Sequence, residues 1–204
     1  RSKISQEWIY EHSGVSYPRI KGGYKALRTF LLDEMRRIAS EINLLVIGGQ
    51  TGCGKTILLN KFENSLDLEG FANHRGSAFG NNVSPQPKQI DFENHLITKL
   101  IEKESSKFVL IEDEGTNIGT INIPEAIKLK ARESKIVILK ASIEDRVKIS
   151  LKAYVIEMLE KFTIQDSVNG YENFSNYWLN SLFKIQKRLG GARYQSLLKQ
   201  LNAA

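Results

Sequence analysis

A chain of 204 residues with a net charge of +6 is long enough to bury one core and carry an appendage. Its one cysteine, Cys53, excludes an internal disulfide framework or a thiolate metal cluster, and no apolar run is long enough to span a bilayer. The basic excess suits an anionic partner, RNA included, as well as it suits an ordinary basic protein; with no signal-peptide pattern, the expected compartment is the cytoplasm, with no membrane partner.

Residues 2–13, SKISQEWIYEHS, read as a short helix stopped by Gly14. A strand candidate, VSYPRI, and a Gly22-Gly23 turn follow, then YKALRTFLLDEMRRIASEI, whose Leu27, Phe30, Leu31, Met35 and Ile38 recur at helical spacing. INLLVI is a buried-strand run that leads through GGQTGCGKT into the helix formers TILLNKFEN, and SLDLE is a short second strand or strand end. GFANHRGSAFGNNVSPQPKQ is too rich in Gly, Asn and Pro to be regular, and a loop of that length in a compact domain is functional or disordered. DFENHLITKLIEKE is helical, KFVLIEDE is a strand closing on three acids, and Pro124 opens a helix. KIVILKA is a further buried strand, and Ser142 caps a long helix that follows it. Beyond about Phe162 the pattern is helical only. Apolar strands alternating with helices predict an α/β fold. It is a mostly parallel sheet of the phosphate-loop NTPase type with helices on both faces and a C-terminal helical segment. Ligands then sit beyond the carboxyl ends of the strands.

Gly49, Gly54, Lys55 and Thr56 satisfy the G-x-x-x-x-G-K-S/T spacing, with Gly52 between them. Glycines there let consecutive backbone N–H groups face a phosphate, the following helix adds its positive end, Lys55 reaches the terminal phosphates, and Thr56 coordinates Mg²⁺. The acids closing the next strand supply the expected carboxylate for Mg²⁺, Asp113 first and Glu112 second; a merely solvated strand end is the plain alternative. Asp67 and Glu69, two apart in an extended chain, share a face and form a second carboxylate station for water or a hydroxyl, or simply a strand-to-turn transition. In the glycine-bearing loop, Arg75 is a candidate for phosphate or RNA backbone and His74 for proton transfer or base contact. Arg146, early in a helix after a strand, is placed to reach back to a ligand or to be solvated. The aromatic stretch YENFSNYW with Lys184, Lys187, Arg188 and Arg193 suits RNA stacking or an ordinary packed helix.

GGYKALR, GGQTGCGKT, DLEGFANHRGSAFG, the QP of SPQPKQ, FEN, EDE with the later IG and IP, and DRV with AYV occur in an order that resembles the tRNA 2-selenouridine synthases, from Arg1 to about Tyr154 and more loosely beyond. The resemblance implies an enzyme that converts wobble 2-thiouridine in the tRNA anticodon region to 2-selenouridine. The implied route uses an S-geranyl intermediate made from geranyl diphosphate, with selenophosphate as selenium donor. The expected catalytic set is Lys55, Asp67, Glu69, His74 and Arg75, of which the resemblance strengthens His74 and Arg75, with Arg75 and Arg146 expected toward the tRNA. Family members pair a rhodanese domain with a phosphate-loop domain, so 1–25 resemble a rhodanese remnant, 26–41 a linker helix, 42–161 the phosphate-loop domain and 162–204 a helical segment. Arg1-Ser2 resemble the end of the rhodanese C-x-x-G-G-x-R-S loop, whose cysteine would precede residue 1. Cys53, in another loop, is no substitute, so this chain alone is not expected to complete selenation unless a separate rhodanese-domain polypeptide supplies the other half. The short link KFENS and the Gly115-Thr116-Asn117 run depart from the family pattern. Two other readings remain: a phosphate-loop kinase or NTPase for a small metabolite, and a non-catalytic tRNA-binding module.

Overall fold

The computed structural model describes residues 2–203; Arg1, one of the two residues matched to the rhodanese loop, lies outside them. Helix α1 (Ser2–Ser13) stops at Gly14, whose N–H returns to the Tyr10 carbonyl. The stretch 15–20 that resembled a strand is exposed irregular chain. A strand needs a neighbouring edge for its backbone groups, and none of the described strands pairs there.

Helix α2 (Gly23–Glu41) leads to β1 (Leu44–Gly48), and the phosphate-loop segment then enters α3 (Lys55–Leu59). The helix expected over TILLNKFEN is thus only five residues long. Its C-terminal end tightens, with Lys61 N–H on Leu58 O and Phe62 N–H on Leu59 O. Strand β2 is Ser65–Leu66 alone, because Asp67 caps α4 (Leu68–Phe71) by accepting from Gly70 N–H at 2.7 Å. Asp67 and Glu69 therefore do not share the face of an extended strand; aspartate at a cap position outcompetes the strand. Helix α5 (Gln89–Glu102), β3 (Val109–Glu112), the hairpin β4 (Asn117–Ile118) and β5 (Ile121–Asn122), α6 (Glu125–Glu133) and β6 (Lys135–Ile138) follow.

The main sheet is parallel, in the order β2-β3-β1-β6, with Leu45 opposite Leu110 and Ile47 opposite Glu112. Alternation along β1 and β3 sends successive side chains to opposite faces. Leu44, Val109 and Ile111 meet α2, α5 and α6 through Ile38, Leu96 and Ile127, while Ile47 and Leu110 meet Leu59 of α3. Helices thus cover both faces of an α/β sheet. β6 departs from the buried strand its composition suggested: Ile136, Val137 and Ile138 are about half exposed at an open edge of the sheet.

Ser142 caps α7 (Ile143–Leu151) through Asp145 N–H. The helix runs without a break through a π-helical turn, Lys152–Ile156, into α8 (Glu157–Gln165). Three helices end the described chain, α9 (Gly170–Lys184), α10 (Gln186–Leu189) and α11 (Gly191–Leu201). No described helix is long and apolar enough to cross a membrane.

Candidate functional site

The loop between β1 and α3 is folded by close approach as well as by sequence. At Gly52, φ is +80°, and a Cβ would stand 2.5 Å from Ser150 Oγ and 2.7 Å from the Arg146 carbonyl oxygen, so α7 packs directly on the loop backbone. Arg146 secures this contact, donating from Nε to Thr51 O at 3.0 Å and from Nη1 to Gln50 Oε1 at 2.5 Å. Lys55 Nζ donates to Gly49 O at 3.1 Å and lines a cavity of about 360 Å³. Gly52, Gly54, Thr56, Asp67, Glu69, Arg75 and Tyr154 share that lining. With α3 this short, the macrodipole adds little, and the loop's own N–H groups carry the anion-binding character.

Of the two acids at the end of β3, it is Glu112 that reaches the loop. It lies on the same face as Leu110, toward α3, and accepts the Thr56 hydroxyl at 2.8 Å on Oε1. Asp113, one residue on, is exposed, with Oδ2 near Gly48. Period-two alternation makes the choice, since direct pairing of β3 with β1 aims the even-numbered side chains at the loop.

Glu112 is 1% exposed, and its Oε2 has no partner among the described residues. It belongs to a carboxylate trio with Glu69 and Glu114, whose ligand oxygens lie within 4.8 Å of one another. Burial, then the charges of Glu112 and Glu114, push Glu69 up to about 8 against the pull of Lys55. Burial pushes Glu112 up to about 7 despite the Thr56 hydrogen bond. Glu114 is also raised by burial, with Lys55 opposing.

Arg75 and His74 leave the same loop in different directions. The Arg75 guanidinium donates to Ala153 O, pairs with Glu157 at 3.1 Å and lies 5.3 Å from the Tyr154 ring centroid. His74 is buried outside the cavity lining, and its Nδ1 accepts from Gly76 N–H at 3.1 Å. Burial lowers its pKa, so the ring is a neutral fastener of the loop at physiological pH. The irregular segment around it is stitched in place. Asn73 Nδ2 donates to Ser84 O and Pro85 O, and Gln86 links Ala72 O and Ile118 O to Thr120 N–H.

A second cavity of about 560 Å³ adjoins the first, sharing Thr51, Ser150 and Tyr154. Its remaining walls are mostly apolar, with Ile143, Val147, Leu151 and Val155 from the long helix and Phe79 against Trp178, ring centroids 4.8 Å apart. Motif reading assigned no role to Tyr154 or Ser150, and it read Trp178, within YENFSNYW, as an RNA-stacking or packed-helix residue rather than as the wall of a groove. The apolar positions 143, 147, 151 and 155 recur every fourth residue, the one signal that pointed to a helix face of this kind.

The family model for the tRNA 2-selenouridine synthase AAA domain matches residues 42–204. Among curated relatives, the tRNA 2-selenouridine synthase of Pseudomonas syringae pv. syringae is 44% identical over 100% of this chain and 56% of its own length. That of Marinobacter nauticus is 42% identical over 97% of this chain and 54% of its own. That of Verminephrobacter eiseniae is 41% identical over 100% and 57%. The chain spans about half the length of the curated relatives it matches. No solved structure matches it significantly. Phosphate loop, Thr56–Glu112 pair and family match over most of the chain lead to one conclusion: this chain belongs to the tRNA 2-selenouridine synthase family.

Proposed function

We propose that this chain is the phosphate-loop part of a transferase that converts wobble 2-thiouridine of tRNA to 2-selenouridine, and that its own step is geranyl transfer. The observation that carries the reading is the junction of the two cavities. An anion cradle opens, across Thr51, Ser150 and Tyr154, onto an apolar groove. A diphosphate on a hydrocarbon tail matches both halves, whereas a nucleotide would set a polar ribose against Val147 and Leu151.

In this step the thiouridine sulfur attacks C1 of the geranyl group. The C–S bond forms, the C1–O bond breaks, diphosphate leaves with the electron pair, and the uridine N3 proton passes to solvent. Lys55 and the loop N–H groups hold the charge that grows on the departing diphosphate, and the groove fixes C1 in line with the sulfur. The Thr56 hydroxyl and Glu112, hard oxygen donors side by side, fit Mg²⁺, which would supply further neutralisation of the diphosphate. The tRNA approaches from the side of Arg75 and Arg146, both of which are engaged with protein in the free chain. Selenophosphate then supplies selenium at C2 as geranyl thiol departs, and water releases the phosphate. That later step is assigned to the rhodanese domain that family members pair with this one.

Calorimetric titration with Mg²⁺ and either geranyl diphosphate or ATP tests the assignment. Binding of geranyl diphosphate but not ATP, lost in Lys55→Ala, is expected. ATP binding in its place would move a kinase or NTPase reading ahead, and tRNA binding indifferent to Lys55 with neither small ligand bound would leave an RNA-binding module.

A further inference from the structure

We propose that Glu69, Glu112 and Glu114 together ligate a hard divalent cation directly, beneath the turn at Gly76 and independently of any phosphate ligand. Three elements deliver the donors: α4 carries Glu69, the end of β3 carries Glu112, and the chain beyond it carries Glu114. Their oxygens lie within 4.8 Å of one another. Oxygens around a six-coordinate cation with bonds of about 2.1 to 2.4 Å stand roughly 3 to 4.8 Å apart, so the spacing fits without rebuilding the site.

Two further observations point to a ligand there. Glu112 is 1% exposed, and its Oε2 has no hydrogen-bond partner among the described residues, although Oε1 is satisfied by Thr56. A buried carboxylate oxygen left unpaired is costly unless something positive meets it. The roof above the trio is kept open: at Gly76 φ is +58°, and a Cβ would fall 2.6 Å from Glu69 Oε1 and 2.8 Å from Glu114 Oε2. Any other residue at Gly76 would press on the two carboxylates from above.

Among the described residues, none of the three glutamates forms an ion pair; the nearest help is the longer-range field of Lys55, whose Nζ is bonded to Gly49 O. All-oxygen, all-carboxylate donors select Mg²⁺ or Mn²⁺ over softer metals. Glu112 then serves two neighbours, the Thr56 hydroxyl on one oxygen and the cation on the other. The site goes beyond the Mg²⁺ that accompanies a diphosphate at Thr56, because it fills before any phosphate arrives.

Mn²⁺ titration followed by electron paramagnetic resonance, with no phosphate compound present, tests this. The expected result is one saturable Mn²⁺ per chain, at least tenfold weaker in Glu69→Gln and in Glu114→Gln. Circular dichroism of both variants should stay that of a folded chain, since glutamine keeps the volume of each side chain and places no charge in the site. Lys55→Ala should bind Mn²⁺ as well or better, having lost a competing cation. Absence of saturable binding in the parent chain, or affinity that neither glutamine variant changes, overturns the proposal. Because the titration contains no diphosphate, failure of the geranyl diphosphate reading would not alter its result.

Discussion

The two adjoining cavities are built by opposite means. The loop wall of the polar one is made by consecutive residues, Gln50 to Thr56, held by one helix packing on backbone at Gly52. The apolar one is assembled from side chains far apart in sequence, Phe79, Val147, Leu151 and Trp178. Charge is bound by a short stretch of backbone whose geometry a few glycines dictate, while a hydrocarbon tail is bound by surface, which any combination of apolar groups can supply. The first is hard to change without losing the function and the second is tunable.

The sharpest way to break the comparison is Lys55→Ala, which should weaken geranyl diphosphate and inorganic pyrophosphate alike by roughly 100-fold, about 2.7 kcal/mol, in calorimetry. Val147→Asp should separate the halves. Val147 is largely exposed, so the fold tolerates the change, and affinity for geranyl diphosphate should fall about tenfold while pyrophosphate is unaffected. A loss shared by both ligands would mean that the groove does not receive the tail.

The carboxylates under the polar cavity add a pH dependence that the apolar one lacks. In metal-free protein, Glu69 and Glu112 hold protons that the unfolded chain, with carboxyls near 4.5, has already released. Folding stability should therefore fall as pH rises from about 4.5 to about 8, measured as a drop of several degrees in unfolding temperature, and Mn²⁺ should restore it at the upper end. An unfolding temperature that rises over that interval without metal would contradict the burial of the trio. Smallest is Asp67→Ala, which removes the α4 cap and should cost about 1 kcal/mol, a shift of roughly 2 to 4 °C.

Sequence patterning reached the polar cavity and stopped short of the apolar one for a physical reason. The G-x-x-x-x-G-K-S/T spacing encodes a local backbone path, so Gly49 to Thr56 were legible as a site from their order alone. The alternation of β3 was legible too, but choosing between Glu112 and Asp113 needed the strand's neighbour and register, which are long-range facts. Asp67 was open to two readings, a carboxylate on an extended strand or a strand-to-turn transition, and the second holds because capping competes with strand formation at the same residue. KIVILKA reads as buried from composition, yet edge position, not composition, decides exposure. Of the stretch from Gly70 to Gln89 that looked irregular, the two ends belong to α4 and α5 and the rest is irregular; the order of that rest comes from the side chains of Asn73 and Gln86, whose partners no periodicity discloses.

The π-helical turn acts as a phase shifter in the long C-terminal rod. Glu157 N–H returns to Lys152 O, five residues back, so this turn holds one residue more than an α-helical turn. Each residue advances an α-helix by about 100°, so the surplus residue re-aims everything downstream of it by that angle. Upstream, Arg146 and Ser150 face the loop after β1; downstream, Glu157 meets Arg75. A uniform helix could not keep both appointments. Removing a single residue from 152–156 would regularise the hydrogen bonding and at the same stroke swing Glu157 off Arg75, so the local irregularity is what keeps the two halves of the rod geared to one site.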